Sequence, residues 1–209
     1  MTRLVQPEML DSLPPTAPEA VRSRRELRWI NAIMGNHRWL RKSLRARWQA
    51  GHRVLEIGAG DGSLWTPALV PPSQWTALDL APRPTAWPES AHWLQEDLLQ
   101  ASLPEAEIVV ANLFLHHFTP DLLATIGKQL PASCRLLIAC EPARRSLHAW
   151  QGRALSALLQ LSDVTRHDML VSIQAGFLGD ELPAALGLDG WKWRVSTSLL
   201  GAYHLTAWK

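Results

Sequence analysis

The stretch VLEIGAGDGSL, residues Val54 to Leu64, sets glycines at Gly58, Gly60 and Gly62 directly after a short apolar run. Without a Cβ, glycine accepts backbone angles and a closeness of approach that other residues refuse. A strand that runs into such a loop predicts a ligand lying against the backbone. No Gly-Lys-Ser/Thr follows, so the loop is not a P-loop. The dinucleotide pattern is G-x-G-x-x-G, whereas here the third glycine arrives one residue early.

Working outward, apolar runs alternate with helical patterns. RVLEIG, WTALDL, AHWLQED, EIVVANLF and CRLLIACEP read as strands, with helices around Leu64 to Leu69, Pro120 to Gln129 and Arg144 to Leu161. Apolar strands separated by helices predict a parallel sheet covered on both faces. The end, WKWRVSTSLLGAYHLTAWK, reads instead as two strands turning around Gly201. The expectation is therefore an α/β, Rossmann-like sheet of seven strands whose last strand is antiparallel.

Ahead of this domain, residues 1–18 carry Pro7, Pro14, Pro15 and Pro18 and are expected to form a loosely ordered arm. Residues 19–50 place Leu27, Ile30, Ile33, Met34, Leu40, Leu44 and Trp48 near helical spacing, broken at Gly35-Asn36. They predict an N-terminal cap of two helices with a corner, Gly35 ending one and Asn36 capping the next. The ligand-binding domain is then 51–209.

The charges in the loop select the ligand. Glu56 and Asp61 would repel a phosphate but suit a cofactor that carries positive charge. Asp79 ends the second strand nineteen residues after Gly60, with Leu80 beside it, where a carboxylate takes the two hydroxyls of a ribose. Asp97 and Leu98 follow the third strand, within reach of an adenine edge. S-adenosylmethionine, with an ammonium, a sulfonium and no phosphate, fits this set better than NAD. Glu56 with the backbone of Gly58 and Gly60 is expected to hold its amino-acid end, and Asn112 to approach the methionine moiety through its backbone.

The 209-residue chain is 47% hydrophobic and 19% charged, ordinary values for a globular domain. No stretch is long and apolar enough to span a bilayer, and MTRLVQPEMLDSLPP lacks the apolar core of a secretory signal, so cytoplasmic residence is expected. Cys134 and Cys140 are too far apart along one run to bridge, which suits a reducing compartment. No CxxC or HExxH spacing occurs, and no metal is expected.

At this point the chain resembles the class I S-adenosylmethionine-dependent methyltransferases. VLEIGAGDGSL is similar to their first cofactor motif, ALDL to their ribose-binding acidic position and EDLL to their adenine-side motif. VVANLFLHHF resembles the fourth-strand motif of the small-molecule branch. LLIACEP resembles their fifth strand, and the terminal hairpin their reversed last strand. LPPTAPEAVRSRRELRWINAIMGNHRWL and VTRHDMLVSIQAGFLGDEL look like the bacterial methyltransferases encoded beside type III polyketide synthases. That resemblance implies a small acceptor, phenolic or polyketide-derived.

Within LHHF, His116 and His117 close the fourth strand at the edge where open α/β sheets bind ligands. One of them as general base competes with both merely orienting the loop. Alternation along a strand would bring only one into the pocket. A further reading puts Asn36-His37-Arg38-Trp39 in a lid over the pocket, where Arg38 would meet an anionic or enolic substrate and Trp39 would wall the pocket or stack on a flat acceptor. Arg166 is weighed as a substrate contact against an ion pair with Asp168, and the pair is favoured. Residues 19–49 hold nine of the chain's 21 Lys and Arg, a run that suits nucleic-acid phosphate or the solvated side of amphipathic helices. A formal net charge of +2 and the absence of an N/D-P-P-Y/F motif weigh against nucleic acid. An RNA methyltransferase and a non-catalytic S-adenosylmethionine-binding protein remain the alternatives.

Overall fold

The computed structural model describes residues 1–14 and 16–209, so Pro15 of the arm lies outside it. Seven strands form one sheet: β1 (Val54–Ile57), β2 (Trp75–Asp79), β3 (His92–Gln95), β4 (Ile108–Asn112), β5 (Leu136–Pro142), β6 (Lys192–Thr197) and β7 (Ala202–Trp208). Their order is β3-β2-β1-β4-β5-β7-β6. The first five run parallel, while β7 is antiparallel to both β5 and β6. The order reverses direction between β1 and β4, which opens a crevice at the carboxyl ends of those two strands.

The apolar runs explain the layering. Along β1, β4 and β5 the side chains alternate between two buried faces. Leu55, Ile57, Val109, Ala111, Leu137 and Ala139 join one core; Val54, Ile108, Val110, Leu136 and Ile138 join the other. The first core is closed by Leu123 and Ile126 of α4 (Pro120–Gln129) and Leu182 of α7 (Glu181–Ala185). Leu40 and Leu44 of α3 (Asn36–Arg45) close the second. Edge strand β6 is exposed at four of its six residues, and its partner β7 is buried but for its last residue.

The cap turns its corner where the sequence predicts. Gly35, in the left-handed conformation at φ +71°, ends α2 (Pro18–Met34) and precedes α3. Asn36 does not cap α3; it is the first helical residue and is fully buried. Ile30 of α2 packs with Met169 of α6 (Asp163–Ala175) and Leu161, forming a third small core with Leu155 of α5 (Ser146–Leu158). The helix expected at Leu64 to Leu69 is absent. Turns take its place, and Pro67, Pro71 and Pro72 crowd that connection.

Residues 1–14, expected as a loosely ordered arm, are docked. The backbone N–H groups of Met9 and Leu10, in α1 (Met9–Ser12), donate to the buried Asp168 carboxylate at 2.7 and 3.0 Å. The Arg3 guanidinium donates to the carbonyls of Ala175, His116 and Phe118. Composition alone could not reveal these partners, because all four lie more than a hundred residues away. Asp168→Ala should remove two charge-assisted bonds of about 1.5–3 kcal/mol each. The expected result is a lower Tm and faster proteolytic cleavage within residues 1–14; an unchanged cleavage rate would show that Asp168 does not hold the arm.

Candidate active site

One cavity of about 1220 Å³ opens at the carboxyl end of the sheet. Its floor is the glycine loop. Gly58 and Ala59 donate to the Leu78 carbonyl, and the Gly60 N–H donates to Asp79 Oδ2 at 2.7 Å. The other Asp79 oxygen accepts from Ala81 N–H at 2.8 Å. A Cβ on Gly58 would sit 2.1 Å from the Phe114 ring, so only glycine fits beneath it. A Cβ on Gly60 would meet nothing within 4 Å, which leaves that stretch of backbone bare toward a ligand. Arg41 of α3 donates to the carbonyls of Ser63 and Leu64 and so secures the far end of the loop.

Glu56, on β1, reaches the cavity from below. Its side chain is buried and accepts one bond from the Trp75 indole N–H at 3.1 Å. Burial pushes its carboxyl up to about 8 against the pull of that bond, and the charges of Asp79 and Asp61 push the same way. At neutral pH without a cation beside it, Glu56 holds its proton.

The remaining expected cofactor residues line the same cavity. Leu80 is exposed beside Asp79, and Leu98 is buried. Asp97 is engaged in its own turn, accepting from Leu99 N–H and Gln100 Nε2. Asp61 accepts from Ser63 N–H and pairs with Arg28 at 3.6 Å. Asn112 ends β4, its Nδ2 3.4 Å from His37 Nε2 and its Oδ1 buried without a partner. That orphaned acceptor, the bare backbone at Gly60 and the acids Glu56 and Asp79, for which no ion pair is found among the described residues, make a cradle for a cationic ligand that donates hydrogen bonds. S-adenosylmethionine fits it.

The histidines do not lie on the strand. β4 stops at Asn112, Leu113 turns with φ +52°, and Leu115–His117 form one 3-10 turn. Strand alternation therefore no longer applies, and both rings border the cavity. Glu141, fully buried at the end of β5, shapes this turn. Its carboxylate accepts the backbone N–H groups of Phe114, Leu115 and His116 at 3.1, 2.9 and 3.3 Å, and lies 2.7 Å from His116 Nδ1. On the opposite side, His116 Nε2 stands 3.6 Å from Glu8 of the arm, beyond hydrogen-bond range.

This environment splits the two imidazoles. Burial alone would lower the His116 pKa, but the Glu141 bond and the nearby Glu8 carboxylate outweigh it and raise it to about 9. The adjacent ring, centred 4.2 Å away, is pushed down to about 4 by burial and by the charge of His116. At neutral pH His116 is an imidazolium between two carboxylates, and His117 is neutral. Among the described residues, Glu8, His116 and His117 are the group with metal-ligand chemistry, their ligand atoms all within 4.8 Å of one another.

The residues assigned to the substrate lie elsewhere. Arg38 is exposed and does not border the cavity. Trp39 stacks on His204 at 4.0 Å, in the core between α3 and the sheet. Arg166 pairs with Asp163, not with Asp168, whose oxygens are taken by the arm. Helical phase accounts for the placement of Arg38, because α3 turns His37, one position earlier in the same expected lid, toward the cavity. His37 is held 2.9 Å from Asn31, its pKa lowered by burial and by Arg41. Sequence reading also passed over Glu8 and Glu141; only the acid ending LLIACEP was a visible signal. Away from the glycine loop the cavity also has an apolar wall of Leu27, Ile30, Met34, Leu155, Met169 and Ile173.

No family model matches the sequence, and no curated protein matches it. Solved structures do. The plantazolicin methyltransferase BpumL in complex with SAH superimposes with a TM-score of 0.64 at 12% identity, covering 93% of this chain and 91% of its own. Human N-acetylserotonin methyltransferase in complex with SAM gives 0.58 at 16% identity, over 95% of this chain and 61% of the human one. Magnesium protoporphyrin IX methyltransferase from Synechocystis PCC 6803, with bound SAH, gives 0.55 at 15% identity over 84% and 83%. The topology, with its reversed last strand, and these superpositions agree: the chain has the class I methyltransferase fold.

Proposed function

We propose that the chain is an S-adenosylmethionine-dependent methyltransferase acting on a small, largely apolar acceptor, phenolic or polyketide-derived. The observation that carries this reading is the buried, uncharged Glu56 beneath a bare glycine loop, flanked by Asp61 and Asp79. Such a site repels phosphate and rewards a cation. Glu56 with Gly58 and Gly60 would hold the amino-acid end, Asp79 and Leu80 the ribose, Asp97 and Leu98 the adenine side, and Asn112 the methionine moiety. When bound, the cofactor supplies a methyl on a positively charged sulfur that needs only in-line approach by the acceptor.

The chain's own work is orientation, exclusion of water and one proton. His117, neutral and at the cavity wall, would accept the acceptor's proton on an imidazole nitrogen, while the methyl would leave sulfur for the acceptor. His116 and Glu141 position it by fixing the 3-10 turn. The basic cap helices supply less free charge than their composition suggests. Arg22 pairs with Glu26, Arg28 with Asp61, and Arg41 with backbone carbonyls. This favours the small-molecule reading over RNA.

Cofactor binding should be coupled to proton release. Glu56 is protonated below about 8, and an ammonium beside it would draw it back toward the ordinary carboxylate range. Calorimetry at pH 7 in buffers of differing ionisation enthalpy should then report release of close to one proton on binding S-adenosylhomocysteine, and Glu56→Gln should abolish the release. Binding with no buffer dependence would remove Glu56 from the cofactor's amino group, and no binding at all would sink the assignment.

The two histidines should separate. His117→Ala should cost roughly 10²–10⁴-fold in the chemical step with S-adenosylhomocysteine affinity unchanged. His116→Asn should instead destabilise the fold by about 3–5 kcal/mol at neutral pH, since it leaves two carboxylates without their cation. The His116 pKa is raised in the folded state, so its stabilisation is full below the unfolded value of 6.5 and disappears as pH rises through about 9. The gap in Tm between wild type and His116→Asn should close over that interval. Equal turnover of both single variants would eliminate base catalysis.

A further inference from the structure

The mouth of the cavity is bordered by large apolar side chains that face water. On α5, Leu147, Trp150 and Leu158 are 58%, 66% and 79% exposed. With Ala154 they recur at i, i+3, i+7 and i+11, which at 100° per residue is a single stripe. This stripe looks outward, while His148, Gly152 and Ser156 occupy the buried side of the same helix. Beside it lies the β6–β7 turn, where Leu199 and Leu200 are 89% and 51% exposed. The two elements touch, because a Cβ on Gly201 would sit 2.9 Å from the His148 ring. Ile33 of α2 is exposed across the opening. A contiguous apolar surface of this size marks an interaction site.

Within these two segments the formal charge has one sign. From Ala143 to Ser162, and again from Thr197 to Gly201, there is no Asp or Glu. Arg145 and Arg153 are exposed on α5, and Arg25 lies over the half-exposed Trp29 ring on α2. An apolar stripe with tryptophan, flanked by arginine and free of acids, is the chemistry of a helix that rests in a lipid interface. No helix among the described residues is long and apolar enough to cross a membrane, so the contact would be peripheral.

We propose that this rim, formed by α5 and the β6–β7 turn, docks on an anionic lipid bilayer, and that the acceptor enters the cavity from it. Three of the same apolar residues, Trp150, Leu158 and Leu200, also line the cavity. An apolar acceptor could therefore pass from acyl chains to the apolar end of the site without crossing water. The docking stands on the surface alone; the acceptor's entry rests on the methyl-transfer reading.

The test uses the full chain and flotation with vesicles. Vesicles of phosphatidylcholine with about a third phosphatidylglycerol should carry the protein up, pure phosphatidylcholine should not, and high salt should release it. Leu147→Ser combined with Leu199→Ser, neither of which lines the cavity, should lower partitioning on the order of tenfold. Arg153→Glu should lower it at least about fivefold. S-adenosylhomocysteine affinity, read by calorimetry, should be unchanged in these variants. No flotation of the wild type, or equal flotation of the double variant, overturns the proposal. So does a dimer in sedimentation velocity that the double variant splits, because the rim would then be covered by a second copy. Loss of S-adenosylhomocysteine binding with flotation intact would overturn methyl transfer and leave docking standing.

Discussion

A carboxylate with no water around it, Glu141, organises the reactive side of this molecule. It sits at the end of a strand buried from its first residue to its last, and it gathers three backbone N–H groups and one imidazole. Those donors belong to a segment that leaves β4 through a leucine in the left-handed region, a conformation that costs roughly 1–2 kcal/mol. Without a buried anion to collect them, the N–H groups would be orphaned and the turn would relax. Everything else at the site follows from that constraint: Phe114 is laid over Gly58, His116 is charged, and His117 is left neutral by its neighbour's charge.

The arm completes the arrangement from the other side. Glu8 brings the second carboxylate to His116, and Arg3 takes the carbonyl oxygens of His116 and Phe118. The first residues of the chain thus hold both the backbone and the ring of the turn that borders the cavity. Asp168, far along in α6, holds the arm in turn. The chain closes on itself at the acceptor end, and the cap helices supply the apolar wall between.

The sheet was legible because strand burial and turn chemistry are local signals. Val54–Ile57, Ile108–Asn112 and Leu136–Pro142 are near-continuous apolar runs, and Gly35 and Gly201 punctuate them where the chain turns. That Glu56, Gly58, Gly60 and Asp79 would meet at one cavity was legible for the same reason, since they stand at fixed offsets from strand ends. The acceptor end was not. Its residues come from the arm, α2, α5 and α6, brought together by packing alone, and an error of one position on a helix moves a side chain by 100°. That is why Arg38 and Trp39 point away while His37 points in. Whether His116 and His117 share a face depended on where β4 ends, and a leucine at positive φ leaves no trace in composition.

The absence of a helix after the glycine loop has its own effect on selectivity. In nucleotide-binding sheets the loop leads into a helix whose N-terminal dipole attracts phosphate. Here the prolines between Leu64 and Gln74 replace that helix with turns, so no macrodipole is aimed at the loop. The field over the glycines is set by side chains instead: Asp79, Asp61 with its partner Arg28, and Arg41 at the far end of the loop. A pyrophosphate laid on this loop would find no helix dipole beneath it, so the site lacks one of the attractions on which nucleotide-binding sheets rely.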